Sequence, residues 1–157
     1  LLHDPQIIFL DEPTGGVDPI SRRNFWRLIY EIADAGKTVC VTTHYMDEAE
    51  RCHRLGYIFH GKILVQGTKE EIIKHAGLTT WTVNGENVID VVQEIKQLPG
   101  VEQVVAFGNS LHVSGTDNGL LDHSMNSELL QKHKCVKIDS GLEDVFISLS
   151  DERNQSS

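Results

Sequence analysis

Two adjacent carboxylates, Asp11 and Glu12, close the short apolar run Gln6-Ile7-Ile8-Phe9-Leu10. A histidine, His44, closes the next such run at Thr42-Thr43-His44. A carboxylate at the carboxyl end of a buried strand can hold Mg²⁺, directly or through water, because this ion takes few protein oxygens and completes its shell with water and substrate phosphate. A second carboxylate beside it can polarise an attacking water. If the two strands are sheet neighbours, Asp11, Glu12 and His44 share one rim. That rim then carries a metal holder, a water positioner and a donor to a terminal phosphate, the parts that phosphoryl transfer requires. Asp18, in Val17-Asp18-Pro19 after a glycine-containing turn, lies near the same rim. Each residue also has an ordinary reading: Leu-Asp-Glu as an acidic turn, a lone histidine as a satisfied polar side chain, Asp18 as a helix N-cap.

The elements that must position these residues follow from periodicity. The apolar run before Asp11 reads as a strand buried on both faces, as in a parallel sheet. Asp18 suits an N-cap and Pro19 the first helical position. Phe25, Leu28, Ile29 and Ile32 then give one apolar helix face, and Gly36 is a natural stop. Thr38 to Thr43 reads as a second buried strand, and Asp47-Glu48-Ala49-Glu50 opens a second helix, its acids suited to a helix N-terminus. This strand–helix–strand–helix order predicts an α/β layer. Leu55 to Phe59 and Ile63 to Val65 flank His60-Gly61-Lys62 as a β-hairpin. Thr68 caps a short helix ending near Gly77, where a linker sets a domain boundary. Beyond it come strand (81–83), helix (88–98), strand (101–107), strand (110–115), helix (120–133) and strand (136–138). That βαββαβ order predicts a small ferredoxin-like α+β domain. A last helix from Leu142 to about Ser150 has Val145, Phe146 and Leu149 as its apolar face, and 151–157 is a polar, frayed tail. The expected division is thus 1–77, 78–150 and the tail.

Composition narrows the function. Among 157 residues, 14 Lys and Arg against 23 Asp and Glu give a formal charge of −9, which argues against a nucleic-acid partner. A single local site can still hold a phosphate on an acidic protein. No stretch approaches the roughly 20 apolar residues of a membrane span, and no basic region followed by an apolar run marks a signal peptide. Cys40, Cys52 and Cys135 are scattered, which points to a reducing compartment rather than a disulfide framework or zinc site. Cys52-His53 with His60 lacks metal-ligand spacing; His112, His123 and His133 read as surface residues, and Trp81 as packing.

Taken in order, these motifs resemble a family. Ile7-Ile8-Phe9-Leu10-Asp11-Glu12-Pro13 resembles the Walker B strand of ATP-binding-cassette (ABC) ATPases, Gly15-Gly16-Val17-Asp18-Pro19 their D-loop, and Thr42-Thr43-His44 their switch histidine. Gly15 stands where many members carry Ser. Tyr45-Met46-Asp47-Glu48-Ala49-Glu50 continues as in the ATP-binding subunits of drug and polysaccharide exporters, and Leu142-Glu143-Asp144-Val145-Phe146 is similar to the last helix of some of their C-terminal extensions. The resemblance implies part of a P-loop NTPase parallel sheet, followed by the hairpin and a regulatory or dimer-contact domain. It implies that Asp11 holds the Mg²⁺ of ATP, Glu12 orients the hydrolytic water, His44 contacts the γ-phosphate and Asp18 contributes to a dimer interface. It further implies a transmembrane permease and a second ATP-binding subunit as partners, on the cytoplasmic face of the membrane.

A Walker A loop, with glycine amides and a Lys around the phosphates, does not precede these motifs. The near-match Gly56 to Lys62 is followed by Ile63, where Ser or Thr is needed, and Tyr57-Ile58-Phe59 reads as a strand. The signature Leu-Ser-Gly-Gly and the glutamine loop are also absent, and Leu1-Leu2-His3-Asp4-Pro5 resembles the stretch just after the signature helix. The expectation is therefore the C-terminal part of an ATPase that is inactive alone. Two other readings stand beside it: a non-transport ABC-type ATPase, and a non-catalytic regulatory or interaction module.

Overall fold

A computed structural model describes residues 4–155. Leu1, Leu2 and His3, the first part of the Leu1 to Pro5 stretch, and the final Ser156-Ser157 lie outside the described residues. Contacts divide the chain between Arg51 and Cys52 into two units.

The first unit is strand β1 (Ile7–Asp11), helix α1 (Pro19–Asp34), strand β2 (Thr38–Thr42) and a short helix α2 (Met46–Ala49). The two strands pair in parallel, with Ile8 opposite Val39 and Asp11 opposite Thr42. The strand ends that carry the acidic pair and the histidine are therefore neighbours, as the rim reading requires. The α1 start also agrees: Asp18 accepts from the Ile20 and Ser21 amides at 2.9 and 3.1 Å, and Pro19 opens the helix.

Two expectations for this unit need correction. The strands are not buried on both faces, since Ile7 is 54% and Phe9 78% exposed. Ile8, Leu10, Val39 and Val41 form the half-buried face, and a two-stranded sheet with α1 as its one long helix has little with which to cover the other. On α1 the buried side chains are Trp26 and Ile29, while Leu28 is half exposed. The second helix forms where expected, as a single turn of four residues with Asp47 and Glu48 in its first turn.

The second unit begins with the hairpin of β3 (Leu55–Phe59) and β4 (Lys62–Gly67). Its two-residue loop, His60-Gly61, has positive φ at both positions (48° and 74°), the backbone that lets a tight turn follow the strand twist. The segment that mimics a phosphate loop in sequence is thus a hairpin. Helix α3 (Lys69–Ala76) has a reciprocal capping box between Thr68 and Glu71 and ends on Gly77 in the left-handed region.

Strands β5 (Thr79–Asn84), β6 (Gln103–Phe107), β7 (Ser110–Gly115) and β8 (Lys134–Ile138) form an antiparallel sheet in the order β6-β7-β5-β8. One face packs a core of Val83, Ile95, Leu111, Val113, Leu121 and Met125. Trp81 packs against this core and donates Nε1–H to Asp122 at 3.1 Å. Both helices over this face are shorter than expected. The 88–98 segment is a 3-10 turn (Val88–Val91) before α4 (Val92–Ile95), consistent with its β-branched run Val88-Ile89 and Val91-Val92. The 120–133 segment ends as α5 (Asn118–Met125), where the Asn126 side chain bonds the Asp122 carbonyl, and a 3-10 turn (Glu128–Leu130) follows.

Helix α6 (Leu142–Gln155) continues past Ser150 because no Gly or Pro stops it. Asp144 closes its first turn by accepting the Gly141 amide at 2.8 Å. The other oxygen of Asp144 meets His112 Nδ1 at 2.9 Å, so α6 is fastened to β7. His112 is therefore not a surface residue, and neither is the half-buried His133. Phe146 stacks on Tyr57 of β3, ring centroids 4.3 Å apart and 9° from parallel. Among the described residues, no helix is long and apolar enough to cross a membrane.

Candidate functional site

The β1–β2 ladder ends at Asp11 opposite Thr42, and a set of hydrogen bonds continues from there. The Thr42 hydroxyl donates to Asp11 Oδ1. The next amide, Glu12 N–H, reaches both the Thr42 carbonyl (3.0 Å) and Thr42 Oγ1 (3.1 Å). Glu12 itself has φ of +41°, an uncommon value for a residue with a Cβ, of the kind that recurs at functional sites. His44 Nδ1 lies 3.2 Å from Glu12 Oε1, with both side chains more than half exposed. With Nδ1 turned toward that carboxylate, Nε2 lies across the ring and is left for another group.

The structure thus joins Glu12 and His44 directly and brings in Asp11 through Thr42. Asp18 sits one turn further on, capping α1. The Ser21 hydroxyl and the backbone amides of Ser21 and Ile20 hold its carboxyl below the usual range. Between them the chain makes two linked turns, Gly15 N–H to the Glu12 carbonyl (3.0 Å) and Val17 N–H to the Thr14 carbonyl (3.1 Å). A Cβ on Gly15 would stand 3.3 Å from that Glu12 carbonyl, so a larger residue there requires the turn to shift slightly.

The unexpected residue is Glu48. It is fully buried, and it accepts the Thr14 hydroxyl on Oε1 and the Thr43 hydroxyl on Oε2, the latter at 2.8 Å. Arg22 Nε approaches the carboxylate to 3.5 Å, while the Arg22 guanidinium covers the Tyr45 ring at 4.6 Å. Burial pushes the Glu48 carboxyl up, but the Thr14 and Thr43 hydroxyls and the Arg22 charge outweigh it and hold it below its ordinary 4.5. With the folded value depressed, the ionised form stabilises the fold above the ordinary value, and that contribution fades as pH falls below 4.5 toward the folded value. Glu48→Gln should therefore flatten the acid limb of a melting-temperature series against pH. An unchanged limb would assign the acid loss to other carboxylates.

For metal binding the donor set is small. Among the described residues, no three His, Cys, Asp or Glu side chains gather around one point. Asp11 offers Oδ2, since its described hydrogen bond uses Oδ1. One carboxylate oxygen beside open solvent fits Mg²⁺ carried in with a phosphate ligand, and does not fit a caged structural metal. None of the three cysteines is in a disulfide: Cys40 is exposed, Cys52 and Cys135 are half-buried, and burial pushes the Cys135 thiol up.

No protein-family model matches the chain. Individual proteins do. A probable multidrug ABC transporter ATP-binding protein, YbhF, of Escherichia coli K12 is 53% identical over 72 residues, 46% of this chain and 12% of the relative. A Nod factor export ATP-binding protein I of Rhizobium sp. N33 is 33% identical over 152 residues, covering 96% of this chain. Its counterpart in Paraburkholderia xenovorans is 31% identical over 159 residues, covering 99%. The chain is a homologue of ABC transporter ATP-binding proteins. It spans about half the length of the two Nod factor relatives, 49% and 50%. The resemblance drawn from the Walker B, D-loop and switch-histidine motifs therefore extends, in these relatives, over nearly all of this ABC homologue and not only its first half.

Proposed function

We propose that this chain is the C-terminal part of an ATP-binding subunit that hydrolyses ATP to drive export through a separate transmembrane permease. The observation that carries the reading is the 3.2 Å contact between Glu12 and His44 on the rim of two parallel strands, with Asp11 beside them. In this reading Asp11 holds the Mg²⁺ of ATP through its outer oxygen. Bound Mg²⁺ neutralises charge on the phosphate oxygens during transfer. Glu12 accepts a hydrogen bond from the hydrolytic water and aims it, and His44, its Nδ1 engaged by Glu12, presents Nε2 toward the γ-phosphate. Asp18 fixes the start of α1 and contributes to contact with a second ATP-binding subunit.

Residues 78–150 act as a regulatory or dimer-contact domain of ferredoxin-like topology. Its strand order β6-β7-β5-β8, taken with βαββαβ connectivity, supports that reading. The site lies at the cytoplasmic membrane face in the assembled transporter.

The 157 residues contain no loop of glycine amides and Lys to cradle a triphosphate, and that cradle supplies much of the grip on nucleotide. The purified chain should bind Mg²⁺-ATP no tighter than millimolar and show no turnover, whereas the full-length polypeptide should hydrolyse it. Calorimetric titration and a coupled phosphate assay on both proteins test this. Micromolar affinity in the chain alone, or a full-length protein without turnover, would overturn the reading.

A further inference from the structure

Glu12 and His44 are both exposed, and a contact between exposed side chains holds little geometry by itself. Something buried has to fix the two loops that carry them. The ladder ends at Asp11 and Thr42, so it does not reach Thr14 or His44. Beyond it, Thr14 is two residues past Glu12 and Thr43 is the neighbour of His44. Their hydroxyls end on the two oxygens of one carboxylate, Glu48, which has no exposed surface. We propose that Glu48 is a positioning residue: by joining the Thr14 and Thr43 hydroxyls it sets the separation of Glu12 and His44.

The connection to each partner is short and stiff. On one side, the Glu12 carbonyl accepts from Gly15 N–H at 3.0 Å, so moving Thr14 turns Glu12. On the other, Thr43 Oγ1 also accepts from Tyr45 N–H at 3.1 Å, which closes the loop around His44. Arg22, on α1, supplies the opposing charge at 3.5 Å and ties the carboxylate to the helix that follows the Glu12 loop. A carboxylate suits this place because two acceptor oxygens on one rigid group can take two hydroxyls at once. The role rests on the ATPase reading of Glu12 and His44, so the test measures both.

In the full-length polypeptide, Glu48→Ala should lower kcat for ATP hydrolysis by up to about 10²-fold, the scale of a misplacement of about 1 Å. KM for ATP should stay within about threefold, because uniform binding of the nucleotide is untouched. Glu48→Gln should keep most of the turnover, since its carbonyl takes one hydroxyl and its amide can donate to the other. If Glu48→Ala does not fold, Thr14→Val and Thr43→Val each remove one arm. Each should lower kcat, and the pair together should cost less than the product of the two. Glu12→Gln is assayed alongside. Loss of hydrolysis in Glu12→Gln with full kcat in Glu48→Ala, or in both valine variants, overturns the positioning role alone. Equal damage from Glu48→Gln and Glu48→Ala overturns it too, by showing that charge and not the double hydroxyl contact matters. Full hydrolysis by Glu12→Gln overturns the site reading and the role with it.

Discussion

In the full-length subunit, Glu12→Gln is expected to lower ATP hydrolysis by roughly 10²–10⁴-fold, the scale for removing a general base, while ATP binding persists. The amide preserves size and can still meet His44, so the 3.2 Å contact and the left-handed backbone at Glu12 should survive. What it loses is the negative charge that accepts a proton from, or orients, an attacking water. Because a phosphate cradle of glycine amides and Lys supplies much of the grip on nucleotide, and Asp11 and His44 are unchanged in this variant, binding and hydrolysis should separate. The variant should then accumulate as an ATP-bound dimer, with nucleotide held between two subunits before cleavage. Steady-state phosphate release, nucleotide affinity and size-exclusion mass in the presence of ATP read the three parts. Wild-type turnover in Glu12→Gln would remove Glu12 from the chemistry.

The rim was legible from sequence because its signals are local. An apolar run closed by two acids and a proline fixes where β1 ends, and β-branched residues closed by Thr-His fix where β2 ends. Parallel pairing then places both ends together without further information. Glu48 was not legible in the same way. An acid in the first turn of a helix already has a sufficient explanation, and its partners Thr14 and Thr43 are 34 and 5 positions away. The one usable hint was compositional: two threonines beside the catalytic candidates and an acid on the following turn. His112 escaped for the same reason, since Asp144 is 32 positions further on. Burial of β1 was misread because apolar content reports what a strand can bury, whereas Phe9 at 78% exposure reports what its neighbours actually cover. Helix lengths over the C-terminal sheet were overestimated where β-branched residues, Asn and Ser interrupt an otherwise helical apolar spacing.

The fate of the last helix carries the second large effect. An apolar helix face can be buried on the sheet of its own domain or on a neighbouring subunit. The structure adds a third within the chain: Leu142 and Val145 are buried, Asp144 clasps His112 on β7, and Phe146 lies flat on Tyr57 of the β3–β4 hairpin. The Tyr57 hydroxyl is also 2.8 Å from Ser150 Oγ one turn later. Helix α6 thus touches both the hairpin and the four-stranded sheet. Removing residues 79–157 would strip Phe146 from Tyr57, so such a truncation would damage the hairpin as well as delete a domain. Phe146→Ala is the cleaner perturbation. Phe146 is 6% exposed, and Phe→Ala at a buried site costs about 3–5 kcal/mol. Tyr57→Phe, which keeps the stacked rings and loses only the hydroxyl contact, should cost about 1 kcal/mol. Denaturant unfolding of the 157-residue chain measures both, and amide exchange locates the change. Phe146→Ala should speed exchange in β3 and β4 together with β7, because α6 is the shared support. A cost below about 1 kcal/mol, or faster exchange confined to α6 itself, would show that the hairpin and the sheet hold without it.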